Sequence, residues 1–241
     1  ATTEFYTLSL HDALPILFGL RVLKHLTHEL SHQYGVYFGG SLAANYADPR
    51  CLISVDSDID IFILGPQATI DLDPFFRKAV ADTVNEIDTH AVPISISMVE
   101  ILGSDLTGYE ILPNQWGHYR YRVGTKIIDV ICLNVSIGKL VDHIASDLGR
   151  IFFTYQSATN TLELAPASKY ALSTINNKII RLFPELCVSS HYQKIRSRVS
   201  MMPGFFLNLC NTASHVTPPL AETPKVTRIT KVIEYDDKRI I

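Results

Sequence analysis

The sequence predicts an α/β (α+β) fold, a mixed β-sheet flanked by helices and followed by a mostly helical second lobe. Leu17, Leu20, Leu23, Leu26 and Leu30 recur at helical spacing near the start. In "SDIDIFIL", residues 57–64, Ile59, Ile61 and Ile63 alternate with Asp58, Asp60, Phe62 and Leu64, the period of a strand. Beyond residue 136 the pattern turns mainly helical around a single hairpin.

In chain order, residues 17–33 form a helix that Gly35 stops, and it feeds directly into "VYFGG". The strand at 57–64 follows. Asp73 is then placed as an N-cap and Pro74 as a first-turn residue of a helix through "FFRKAVADTVNEI". "PISISMV", residues 93–99, reads as a strand, and "HYRYRV" and "KIIDVICL" as a hairpin closed by Gly124 and Thr125. After Asn134 come a short helix in "SIGKLVDHIAS", a hairpin in "RIFFTYQSATNTLEL", and helices in "ASKYALSTINNKIIRLF" and "HYQKIRSRVSMM". Three further prolines, Pro218, Pro219 and Pro224, mark the last segment as a tail or edge strand.

These features divide the chain into a first unit at 17–135, an accessory mainly helical lobe at 136–213, and a tail at 214–241. "YTLSLHDALPI", residues 6–16, resembles translated sequencing adaptor, so residues 1–16 are expected to be a non-native leader.

Hydrophobic residues make up 47% and charged residues 19%, which excludes a mainly disordered chain. The net charge of −3 excludes a global basic field for nucleic acid or anionic membrane, so any polyanion site is local. No run approaches the roughly 20 apolar residues of a membrane helix, and "ALPILFGL" has neither a basic leader nor a cleavage site. Cys51, Cys132, Cys187 and Cys210 form no C-x-x-C pair and stand in apolar contexts. That usage fits a reducing, cytoplasmic setting better than a disulfide framework or a cysteine zinc site.

Two chemistries compete within residues 28–46. "HELSH" spells H-E-x-x-H, in which His28 and His32 would bind zinc from one helix face and Glu29 would polarise a water. Gly35 matches the longer form of that motif, but Phe38 stands where its third ligand belongs. The plainer alternative is that His25, His28 and His32 decorate a solvated or half-buried helix face.

The second chemistry begins at Gly39, Gly40 and Ser41, continues through Asp58 and Asp60, and reaches Asp129 in "KIIDVICL". This order resembles the signature of the DNA polymerase beta-like nucleotidyltransferase superfamily, over about residues 17–135, with a spacer after Ser41 a few residues longer than is usual there. The resemblance implies a nucleotidyltransferase palm that moves a nucleoside monophosphate from an NTP such as ATP to a hydroxyl, releasing pyrophosphate with Mg²⁺ or Mn²⁺ as cofactor. Asp58, Asp60 and Asp129 are then the catalytic and metal-binding residues, with Asp129 on the ion that activates the acceptor.

The physical chemistry agrees with that implication. A triphosphate needs its charge neutralised, Mg²⁺ prefers hard oxygen ligands, and carboxylates at i and i+2 leave one strand face together. Two acids on one face repel unless a cation sits between them. Gly39 and Gly40 let backbone approach phosphate, the following helix start offers N–H groups, and Ser41 adds a hydroxyl donor. Asp56, Asp58 and Asp60 also imitate the first ligands of a calcium loop, but Ile61 stands where that loop requires Gly.

In the second lobe Lys194, Arg196 and Arg198 cluster on one helix, and Lys194 and Arg198 are candidates to hold the triphosphate; a solvated basic face is the alternative. "WGHYRYR" interleaves aromatic and basic residues, with Tyr119 and Tyr121 on one face and Arg120 and Arg122 on the other, suited to sheet packing or to base stacking. The acceptor stays open among an RNA end, a protein side chain and a small molecule, and no membrane partner is expected. A non-catalytic nucleotide- or partner-binding relative of the same fold is the alternative function, and a zinc metalloprotease the third.

Overall fold

The computed structural model describes residues 10–53, 57–67, 71–87, 96–100, 112, 114–156 and 158–211. The proposed tail and the first nine residues of the proposed leader lie outside them, as do Asp56 and the opening of "PISISMV".

The elements in chain order are α1 (Leu10–Leu30), β1 (Gly35–Gly39), α2 (Gly40–Ala47), β2 (Ile59–Leu64), α3 (Asp73–Ile87), β3 (Ile96–Glu100), β4 (Gln115–Val123), β5 (Lys126–Leu133), α4 (Ile137–His143), β6 (Phe153–Gln156), β7 (Thr161–Leu164), α5 (Lys169–Asn176), β8 (Ile179–Leu182), α6 (Ser189–Ser200) and β9 (Phe206–Leu209). Seven strands make one mixed sheet in the order β3-β4-β5-β2-β1-β6-β7, in which β2 and β5 run parallel and the other pairs antiparallel. The expected mixed sheet flanked by helices is therefore present.

Strand β2 sorts its residues by period. Ile59, Ile61 and Ile63 enter the larger core with Val22, Leu23 and Leu26 of α1 and Phe76 and Val80 of α3. Each such fully buried aliphatic side chain contributes about 1.5–3 kcal/mol. Gly19 permits the close seating of α1, since a Cβ there would lie 2.9 Å from Ile59 Cγ2. Phe62 and Leu64, on the opposite face, join Ile131, Leu133, Leu140, Val141 and Phe152 in a smaller core under α4. Asp60, two residues before Phe62, lies on that second face.

Several boundaries differ from the sequence expectation. Helix α1 starts at Leu10, inside the proposed leader, and Ile16 is buried in the main core. The hairpin β6–β7 does not belong to a separate lobe: β6 pairs with β1 at Phe38↔Phe153, and Thr154 Oγ1 donates to the Val36 carbonyl at 2.8 Å. Helix α5 ends at Asn176, because Lys178 takes a left-handed φ of 60° and the β-branched pair Ile179–Ile180 enters β8. Strand β8 pairs in parallel with β9, so the later region adds a two-stranded sheet to its helices.

The remaining helices follow local chemistry. Asp73 and Pro74 open α3, and Ser136 Oγ accepts from the Lys139 amide to cap α4. Tyr121 is buried and stacked on Phe76 at 3.7 Å between ring centroids, which assigns that tyrosine to packing rather than to base stacking. Among the described residues no helix is long and apolar enough to cross a membrane.

Candidate active site

The parallel pairing of β2 with β5 puts Asp60 beside Asp129, and the antiparallel pairing with β1 puts Gly39 on its other side. Asp58 stands just before β2, and its Oδ2 lies 3.7 Å from the Arg120 Nη2 that also holds Asp129. The three aspartates named from the sequence thus come from adjacent extended segments at one end of the sheet.

Two glycines make room here, Gly39 for the rings of Phe152 and Phe62 and Gly40 for Asp60. A Cβ on Gly39 would sit 2.6 Å from Phe152 Cε1, so a side chain there has no space. Gly40 has φ +71°, and a Cβ on it would lie 1.9 Å from Asp60 Oδ2. Gly40 also begins α2, whose N-cap Gly39 is extended and supplies no side-chain cap. The first amides of α2, with Ser41 second in the helix, are thus available to an anion beside the Asp60 carboxylate.

Electrostatics separate Asp60 from Asp129. Burial of its carboxyl group, then repulsion from Asp129 and Asp58, push Asp60 up from 3.8 to about 8, opposed by the charges of Lys194 and Arg120. Lys194, on exposed α6 surface, therefore lies close enough to act on the acidic cluster.

Asp129 is 1% exposed, and burial alone would raise it, but Arg120 and His118 hold it below the ordinary carboxylate value. Arg120 grips it with both ends of its fork, Nε to Oδ1 at 2.8 Å and Nη2 to Oδ2 at 2.7 Å. His118 Nε2 lies 3.5 Å from Oδ1, and Arg120 Nη2 reaches within 3.7 Å of Asp58 Oδ2. Among the described residues no group of three His, Cys, Asp or Glu side chains is assembled as a metal cage. Asp58 and Asp60 retain partial exposure and hard oxygen donors, so they fit a divalent ion. Asp129, 1% exposed and held on both oxygens by Arg120, is less open to one in this arrangement.

Arg120 and His118 are site residues the sequence reading missed. The two-residue turn at Gly124–Thr125 sets Val123 opposite Lys126, and counting outward from it pairs Arg120 with Asp129. That register was the available signal.

Arg198 lies elsewhere than expected of a triphosphate contact. Its Nε donates to the Leu52 carbonyl, which ties α6 to the segment leading into β2, and burial lowers its pKa. The H-E-x-x-H residues also part company. Helix α1 ends at Leu30, leaving His32 in the following turn, while Glu29 accepts from Lys78 Nζ at 2.8 Å. His25, His28 and Glu29 instead line a cavity of about 340 Å³ with Lys24, Lys78 and Tyr155, and none of the three aspartates borders it. All four cysteines are free, and burial pushes the Cys51 thiol up to about 12.

No family model matches the chain, and no curated protein matches it in sequence. Among solved structures it is similar to a CCA-adding enzyme in apo form I, at 13% identity and TM-score 0.48 over 83% of this chain and 42% of that one. The apo form II of a CCA-adding enzyme gives 12% identity and TM-score 0.46 over 86% and 45%. The Thermotoga maritima CCA-adding enzyme complexed with tRNA gives 15% identity and TM-score 0.44 over 80% and 38%. The chain thus spans less than half the length of each of these CCA-adding enzymes.

Proposed function

We propose that this chain is a metal-dependent nucleotidyltransferase, transferring a nucleoside monophosphate from an NTP to a hydroxyl acceptor and releasing pyrophosphate. The observation that carries the reading is the contact of Asp60 with Gly40 at the uncapped start of α2, beside Asp129 in register on β5. A carboxylate pair and a phosphate-accepting helix terminus share one small space.

Mg²⁺ or Mn²⁺ bound there would neutralise the triphosphate and polarise the α-phosphorus. Asp58 and Asp60 would hold the ion. The first amides of α2 and the Ser41 hydroxyl donate to phosphate oxygens, and Lys194 supplies a point charge from α6. Asp129, kept ionised by Arg120 and His118, accepts the proton of the attacking hydroxyl. A new oxygen–phosphorus bond forms at the α-phosphorus while the bond to pyrophosphate breaks. The chain's contribution is positioning and charge complementarity.

One observation favours a second reading, nucleotide binding without turnover: both oxygens of Asp129 are held by Arg120. Incubation of the purified chain with each labelled NTP against RNA, protein and small-molecule acceptors separates the two. Covalent incorporation supports transfer, and saturable NTP binding without incorporation supports the binding relative.

A further inference from the structure

We propose that Arg120 occupies the place of a second cation, so that this site takes one divalent ion on Asp58 and Asp60 while Asp129 acts outside the metal's ligand set. The inference rests on the metal-binding reading of Asp58 and Asp60 given above.

The β4–β5 register fixes the arrangement before any side chain is considered. Arg120 and Asp129 are directly opposed across the hairpin, on the face that also carries Asp60. The guanidinium then matches the carboxylate end to end, at 2.8 Å and 2.7 Å, and takes one acceptor position on each oxygen. Asp129 is 1% exposed, so water cannot take over from Arg120 at low cost. A guanidinium is charged at all working pH values and does not dissociate into solvent as a metal ion does.

Position completes the case. The same Nη2 that bonds Asp129 lies 3.7 Å from Asp58 Oδ2, so the positive charge sits between two acids of the trio. With Arg120 there, a single divalent ion balances the three carboxylates. A second ion on Asp129 would have to displace a part-buried bidentate pair and then share the pocket with the displaced cation.

Mn²⁺ binding to the full chain, followed by the loss of the free-ion electron paramagnetic resonance signal, tests this without any assay of turnover. The expected stoichiometry is one Mn²⁺ per chain, abolished in Asp58→Asn and in Asp60→Asn and retained in Asp129→Asn. Arg120→Gln, which uncovers Asp129, is expected to raise it to two; Arg120→Lys, which keeps the charge, is expected to stay at one. Two ions in the unaltered chain, or loss of an ion in Asp129→Asn, overturn the role given to Arg120 and leave the proposed function standing. Absence of any Mn²⁺ bound through Asp58 or Asp60 overturns the reading beneath it and this inference together. The unaltered chain and Asp129→Asn decide the matter even if Arg120→Gln does not fold.

Discussion

Gly40 and Asp60 touch so closely that a single methyl group on Gly40 would stand 1.9 Å from the Asp60 carboxylate oxygen. Gly40→Ala therefore meets two obstacles, the left-handed φ of +71° and the collision itself. The backbone alone costs about 1–2 kcal/mol, and relief of the clash must turn Asp60 away from α2. The expected outcome is a lowered melting temperature together with at least a tenfold weaker NTP affinity, read by thermal denaturation and calorimetry. Unchanged affinity would separate Gly40 from the nucleotide.

Asp60 predicts a pH signature. Its folded value of about 8 lies above its unfolded value of 3.8, so the native state holds the proton more tightly. Its contribution to stability is present below about 4 and is lost as pH rises toward 8. A divalent ion needs the ionised carboxylate, so metal affinity is expected to strengthen over the same rise and level off above about 8. Denaturation and Mn²⁺ titrations across this range should show opposite slopes, and Asp60→Asn should flatten the first and abolish the second.

Asp129 behaves in the reverse sense. Its folded value is depressed despite burial, so its stabilisation is present above the unfolded value of 3.8 and is lost as pH falls through the lower folded one. Arg120→Leu would leave this carboxylate buried and unpaired, at a cost of about 3 kcal/mol, the low end for a broken buried pair since Arg120 is 32% exposed. Urea denaturation at neutral pH measures the loss, and a midpoint unchanged from the parent would contradict the pairing.

The histidines supply a contrast. His28→Ala and His32→Ala are expected to leave divalent-ion binding and NTP binding unchanged, because His32 lies beyond the end of α1 and Glu29 is committed to Lys78. Zinc present in stoichiometric amount and dependent on both histidines would restore the protease alternative.

Much of the arrangement was legible where local rules dominate. The alternation of Ile59, Ile61 and Ile63 with Asp58 and Asp60 defines a strand whatever surrounds it, and Gly124 with φ +59° closes the hairpin that carries Asp129. The addition of β6 to β1 was not legible, because pairing of Phe38 with Phe153 is set by long-range packing rather than by any local pattern. The placement of Arg198 has a related cause: one helix carries both cations, and only tertiary packing brings Lys194 near enough to act on Asp60 and sets Arg198 on the Leu52 carbonyl. Arg120 was within reach, since hairpin register alone sets it opposite Asp129, but strand alternation was read for its tyrosines.

The most direct test is incorporation of label from an α-labelled NTP into acceptor in the presence of Mg²⁺, comparing the parent chain with Asp58→Ala and Asp60→Ala. Incorporation by the parent, reduced at least a thousandfold in both variants while their folded spectra are kept, is the result this account expects. Incorporation that persists in either variant would contradict it.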